Sequence, residues 1–91
     1  MEIEFDEVKR VENIRKHGID FKACIPVFLD GNSFDTRSDR SGEQRCILIG
    51  ALNSRVIAVV YTIRGERLRI ISARKARKPE VEKWKANANT S

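Results

Sequence analysis

The sequence predicts an α+β fold: a small antiparallel β-sheet with two N-terminal helices and one C-terminal helix packed on it. Three observations lead there. Glu43–Leu52, Arg55–Arg64 and Arg67–Ala73 are strand-like runs separated by the two-residue breaks Asn53-Ser54 and Gly65-Glu66, the spacing of tight hairpins. The first thirty residues instead carry helix caps and helical spacing. After the last strand, Lys78-Pro79-Glu80 reads as a helix start, because proline suits the first helical turn, where its missing N–H has no partner to lose.

Element by element, Glu2–Phe5 alternates polar and apolar residues and predicts a short strand with Ile3 and Phe5 on one face. Asp6 is a good N-cap for a helix over Glu7–Lys16, with Val8, Val11 and Ile14 as one apolar stripe. His17-Gly18 closes it, since glycine takes the left-handed C′ conformation without strain. Asp20 caps a second helix with Phe21, Cys24, Val27 and Phe28 as its buried side, and Pro26 predicts a kink or tightening there. Asp30-Gly31-Asn32 ends that helix. Ser33–Thr36 reads as a strand, and Arg37–Gly42 reads as a polar loop. In the last helix Val81, Trp84 and Ala88 form the apolar side, and residues 87–91 read as a frayed tail.

Composition narrows the function. Ninety-one residues predict a single domain spanning 1–91, with one core and little room for an enclosed cavity. The net charge is +5, and from Arg64 to Lys85 nine Lys or Arg stand against three Glu. That balance favours a polyanionic partner such as nucleic acid. The isolated Cys24 and Cys46 suit reduced, packed thiols of a cytoplasmic protein rather than a disulfide framework. No apolar run is long enough to span a bilayer, and no metal-ligand or Gly-rich phosphate motif is present, so neither membrane, metal nor cofactor is expected.

The tight turns also predict a register. Facing residues share a side of the sheet. Gln44, Cys46, Leu48, Gly50 and Leu52 with Ile57, Val59, Tyr61, Ile63, Leu68 and Ile70 make a core face. The other face carries the rows Glu43–Arg64–Arg67 and Arg45–Thr62–Arg69 at one end. Ile47, Ile49, Ala51, Val56, Ala58, Val60, Ile71 and Ala73 follow along it, an apolar half that the last helix or a partner must cover. Arginine forks match phosphate oxygens, so the rows are a candidate phosphate site; a solvated, salt-bridged sheet face is the simpler account. Cutting RNA through its own 2′-hydroxyl needs a base, an acid and cations. His17 is the only histidine, and a helix-capping role explains it as well. Glu43, Glu66 and Glu80 are the carboxylate candidates. Lys75, Arg77 and Lys78 are candidate phosphate contacts, and Trp84 is either a base-stacking platform or core.

Several blocks together resemble the BrnT-type toxins: Glu4-Phe5-Asp6 with Lys9, Asn13 and Lys16-His17-Gly18-Ile19-Asp20-Phe21; Gly42-Glu43-Gln44-Arg45; Tyr61-Thr62-Ile63-Arg64-Gly65; and Arg69–Ala76, with Glu80 and Trp84 beyond. Pro26, Gly31, Pro79 and Trp84 depart from residues common in that family. The resemblance implies a RelE-like fold and a metal-independent endoribonuclease toxin of a type II toxin–antitoxin module that arrests translation. It implies a ribbon-helix-helix antitoxin as partner, and operator DNA bound only through the toxin–antitoxin complex. On that view Arg64, Arg69 and Arg74 hold the scissile phosphate, with Glu43 or Glu66 as base and His17 as proton donor. Arg45, Arg67, Lys75, Arg77, Lys78 and Trp84 would then contact the RNA. A non-catalytic nucleic-acid-binding domain using the same basic face is the alternative, and it would bind RNA without cutting it.

Overall fold

The computed structural model describes the backbone of residues 2–29, 34–40 and 43–88, and the side chains of 2–29 and 44–87. In chain order these form β1 (Glu2–Phe5), α1 (Glu7–His17), α2 (Phe21–Phe28), β2 (Phe34–Arg40), β3 (Glu43–Leu52), β4 (Arg55–Arg64), β5 (Arg67–Lys75) and α3 (Lys78–Ala88). The strands make one sheet in the order β1-β5-β4-β3-β2. Its pairs are antiparallel except at the β1 edge, where Glu2–Phe5 runs parallel to Arg67–Ile70.

Both predicted hairpins form. Asn53 and Ser54 each take positive φ, 49° and 68°, as a type I′ turn requires. Gly65 alone is positive in its turn, at 61°, which fits glycine at the first central position of a II′ turn. The predicted register holds where the strands pair: Cys46 faces Tyr61, Arg64 faces Arg67 and Thr62 faces Arg69.

The register breaks once, at a β-bulge. Tyr61 pairs with Ile70, but the next residue, Val60, pairs with Ser72, leaving Ile71 as the extra residue. This reverses the expected parity beyond it. Ala73, predicted on the second face, sits opposite Val59 and is fully buried in the main core. Arg74, which strict alternation from Arg69 would put on the core face, sits opposite Ala58 on the arginine face.

The strand β2 corrects the reading of Arg37–Gly42 as a loop. Strand pairing runs through Arg40, opposite Glu43. The segment is polar because β2 is an outer edge, where side chains need not be apolar and charge discourages further pairing. Asp30-Gly31-Asn32, Ser41-Gly42 and the end of the predicted frayed tail lie outside the described residues.

Two apolar clusters sandwich the sheet. On one face Phe21, Cys24 and Val27 of α2 pack with Cys46, Leu48, Ile57, Val59, Tyr61, Leu68 and Ile70. Phe28 meets Tyr61 edge-on, and Phe5 meets Phe21 likewise. Fully buried large side chains of this cluster, such as Phe21, Ile57 and Ile70, contribute about 1.5–3 kcal/mol each. On the other face α3 lays Val81 and Trp84 over Ile47, Ile49, Val56 and Ala58, so the chain's own last helix covers the greasy half.

Helix α1 departs from expectation. Its cap holds: Asp6 Oδ1 accepts from the Val8 and Lys9 amides, and Gly18, at φ 69°, returns its N–H to the Ile14 carbonyl. Yet Val8, Val11 and Ile14 are 78%, 56% and 38% exposed, and the helix buries Asn13 instead. The reason is a backbone need. β1 ends opposite Ile70, so β5 has an open edge beyond it. Asn13 Oδ1 accepts the Ala73 N–H at 3.1 Å, and Nδ2 donates to the carbonyls of Ala73 and Ile19 at 2.9 Å each. One side-chain amide thus replaces the missing strand, which a valine at that position could not do. Pro26 stays inside α2, which ends one turn later with a tightened bond from Leu29 N–H to the Pro26 carbonyl at 3.0 Å.

Candidate functional site

The polar end of the second face is built by three neighbouring strands. From β4 and β5 come Arg64 opposite Arg67, and Thr62 opposite Arg69. From β1, parallel pairing sets Glu2 beside Arg67 and Glu4 beside Arg69. Glu2 Oε2 lies 3.3 Å from Arg67 Nε, and Glu4 Oε2 accepts from Arg69 Nη1 at 3.0 Å. Arg69 is the more sheltered, with 27% of its side chain exposed against 62% for Arg67. Thr62 is buried beneath the row and donates to the Gln44 carbonyl at 2.9 Å. Continuing the β3–β4 register brings Arg45 beside Thr62; its Nε is shut off from solvent with no hydrogen-bond partner among the described residues.

Arg74 belongs to a different assembly. It faces Ala58 whereas Arg69 faces Thr62, four residues apart on β4, roughly 13 Å along the strand. Its fork grips Glu80 of α3 with two bonds, Nη1 to Oε1 at 2.8 Å and Nη2 to Oε2 at 3.0 Å. Glu80 Oε1 also accepts the Arg77 N–H at 2.7 Å, closing the first turn of α3 as the acidic half of a capping box. The Arg74 guanidinium, and then the Arg77 amide, hold the Glu80 carboxyl below its ordinary pKa against the opposing effect of burial. Lys75, Arg77 and Lys78 are exposed around this junction. Trp84 lies in the second apolar cluster at this same end, its ring packed and its Nε1 buried without a partner among the described residues, away from the arginine rows.

The other candidates are dispersed. Glu66 is exposed in the β4–β5 turn, where Glu2, Gly65, Glu66 and Arg67 line an open depression of about 680 Å³. Glu43 pairs with Arg40 through the backbone, and its side chain lies outside the described residues. His17 ends α1 and, with Lys9, Glu12, Asn13, Lys16, Ile71 and Ser72, lines a groove of about 170 Å³ at the open edge of β5. Among the described residues no group of three His, Cys, Asp or Glu is placed to hold a metal ion.

Residues 5–80 match the family described as the BrnT ribonuclease toxin of type II toxin–antitoxin systems. The chain belongs to this family. It is thus a ribonuclease toxin of such a module, with RNA as substrate and an antitoxin as partner. No curated protein matches it. No helix among the described residues is long and apolar enough to cross a membrane. The part matched to the BrnT family takes in both arginine rows, Asn13, His17 and the Arg74–Glu80 pair; Glu2, Glu4 and Trp84 fall outside it.

For a BrnT toxin the arginine rows have the right chemistry. Phosphodiester cleavage builds negative charge on the phosphate oxygens, and fixed guanidinium forks offset it without having to reorganise. Sequence reasoning brought Arg64, Arg67 and Arg69 together but missed Glu2 and Glu4. Their alternation with Ile3 and Phe5 was visible; the parallel pairing that aims them at arginines was not. It also missed Asn13 as the clamp on β5. A polar residue four positions from Lys9 and opposite the valine stripe was the available signal.

Proposed function

We propose that the β4–β5 end of the second face cuts RNA by attack of a 2′-hydroxyl on the adjacent phosphate, without a metal, and that this cut arrests translation. The observation that carries the reading is the interleaving of Arg64, Arg67 and Arg69 with carboxylates on one rigid sheet surface. Arg64 and Arg69 hold the scissile phosphate. Glu66, exposed beside Arg67, takes the 2′-hydroxyl proton as the new O–P bond forms; Glu43 is the second candidate for that step. The departing 5′-oxygen takes a proton from water at this open surface, leaving a 2′,3′-cyclic phosphate. Arg45 supports the phosphate from β3. Arg74 we read as the residue that fixes α3 rather than as a phosphate ligand, because Glu80 occupies its fork. Lys75, Arg77 and Lys78 meet the strand beyond. The antitoxin in this reading is a ribbon-helix-helix protein that carries the complex to operator DNA in the cytoplasm.

Purified protein incubated with RNA in EDTA tests the reading. Cleavage with cyclic-phosphate ends is expected. Arg64→Ala or Arg69→Ala should lower the rate by about a hundredfold or more, as loss of a transition-state donor does, and Arg74→Ala should cost stability before rate. Intact RNA in the presence of folded, unmutated protein would overturn the proposal.

A further inference from the structure

We propose that the groove between α1 and the bulged edge of β5 holds a second phosphate of the bound RNA strand, distinct from the scissile one. The inference rests on the ribonuclease reading and adds residues that it does not use. Lys9, Asn13, Lys16 and His17 are spaced i, i+4, i+7 and i+8, so they share one side of α1. That side forms one wall of the groove, and Ile71 and Ser72 form the other. The groove exists because β1 stops at Phe5, leaving the β5 edge uncovered, and because Asn13 seals the backbone at Ala73 so that no strand is needed there.

Its electrostatics favour an anion. Among the described residues Lys9 makes no ion pair, and Lys16 has one long contact, 3.9 Å, to Glu12. Glu12 is already engaged by Arg15, which holds its carboxyl below the ordinary range. Two lysines and the His17 imidazole therefore line a recess in which the one carboxylate among the described residues, Glu12, is already engaged by Arg15. The Ser72 hydroxyl adds a donor from the sheet. The bulge matters here: it sets Ser72 opposite Val60 on the face that carries Arg69, whose partner Thr62 lies two residues from Val60 on β4, roughly 7 Å along the strand. A single strand leaving the arginine rows over the β5 edge thus enters this recess within a few nucleotides.

The test uses non-cleavable 2′-O-methyl RNA, a trimer and a decamer, with binding followed by fluorescence anisotropy across a KCl series. Lys9→Ala combined with Lys16→Ala should weaken decamer binding about tenfold and flatten its log–log salt slope by about 0.7, one phosphate neutralised on a single strand. Trimer binding should stay within twofold, and Lys9→Arg with Lys16→Arg should restore the decamer. Both lysines are exposed, and an unchanged thermal transition verifies that the variants fold. Decamer affinity and slope equal to the unmutated protein's, or equal losses for trimer and decamer, overturn the second subsite. Failure of the ribonuclease reading would show separately, as unmodified RNA left intact by the unmutated protein.

Discussion

The two ends of β5 carry arginines on the same face of the same sheet, yet they are held in opposite ways. At the turn end Arg67 and Arg69 meet one carboxylate each from β1, side by side across a strand pair. At the bulged end Arg74 is gripped through both terminal nitrogens by Glu80, which also caps α3, and the backbone beside it is clamped by Asn13. The exposed Glu2–Arg67 contact contributes little stability, and single contacts leave most of an arginine's donors available for exchange. A sheltered bidentate pair tied to a helix cap consumes its donors and joins two elements. Composition alone presents one basic run from Arg64 to Lys78; partner geometry divides it into a surface that can take up phosphate and a joint that keeps the molecule together.

Breaking the joint should have the largest effect, and Asn13→Ala breaks it most directly. It leaves the Ala73 N–H and carbonyl without partners at a fully buried site. Two such groups cost about 1–3 kcal/mol each. A loss of about 2–6 kcal/mol is expected, readable as a fall of about ten degrees or more in thermal midpoint for a domain this size. Asn13→Asp should be nearly as damaging, because a carboxylate cannot donate to the Ala73 and Ile19 carbonyls. A thermal midpoint within a few degrees of the unmutated value would mean that the open edge of β5 needs no side-chain substitute.

How much of this was legible in the sequence depends on which physical signal encodes it. Turn chemistry is local, so Asn53-Ser54 and Gly65-Glu66 announced both hairpins and with them the Arg64–Arg67 and Thr62–Arg69 pairs. The caps at Asp6, Gly18 and Asp20 were legible for the same reason. Strict alternation then misplaced everything beyond Ile71, since a bulge changes parity while leaving the run Arg69–Ala73 looking like any strand. The stripe Val8-Val11-Ile14 misled because helical spacing says which residues share a side, not which side docks; a backbone hydrogen-bond deficit sixty residues away decided that. The polar β2 read as a loop because Arg37-Ser38-Asp39-Arg40 carries no apolar alternation to reveal a strand. Glu2 and Glu4 were out of reach, since pairing of the first strand with the last is set by the whole topology.

Loosening the joint from the α3 side should have the next effect. Glu80→Gln keeps the shape but removes the charge that Arg74 grips, for a loss of about 2 kcal/mol, in the range of hydrogen bonds to charged groups. Acid titration isolates it. The Glu80 carboxyl is held below its ordinary value of 4.5, first by Arg74 and, opposing burial, by the Arg77 amide. A depressed carboxylate stabilises the fold above its unfolded pKa and loses that contribution as pH falls through the folded value. The gap in stability between the unmutated protein and Glu80→Gln should therefore be constant near neutrality and close as pH drops below about 4.5. Comparing the two proteins cancels Glu7, Glu12 and Asp20, which are also depressed by their own partners. A gap that persists into acid would assign the stabilisation to shape rather than charge.

The smallest effect should come from the turn end, and its sign is what sharpens the contrast. Glu2 and Arg67 have 78% and 62% of their side chains exposed, so Glu2→Gln should change stability by less than about 1 kcal/mol. The same change removes a negative charge from the arginine face and frees Arg67. Binding of non-cleavable RNA should then tighten about two- to fivefold at low salt, with the gain fading as salt screens it. A structural ion pair would give the reverse: lower stability and no gain in affinity. Weaker RNA binding in Glu2→Gln would show that the carboxylate holds Arg67 in its working position, and the turn end would then resemble the bulged end after all.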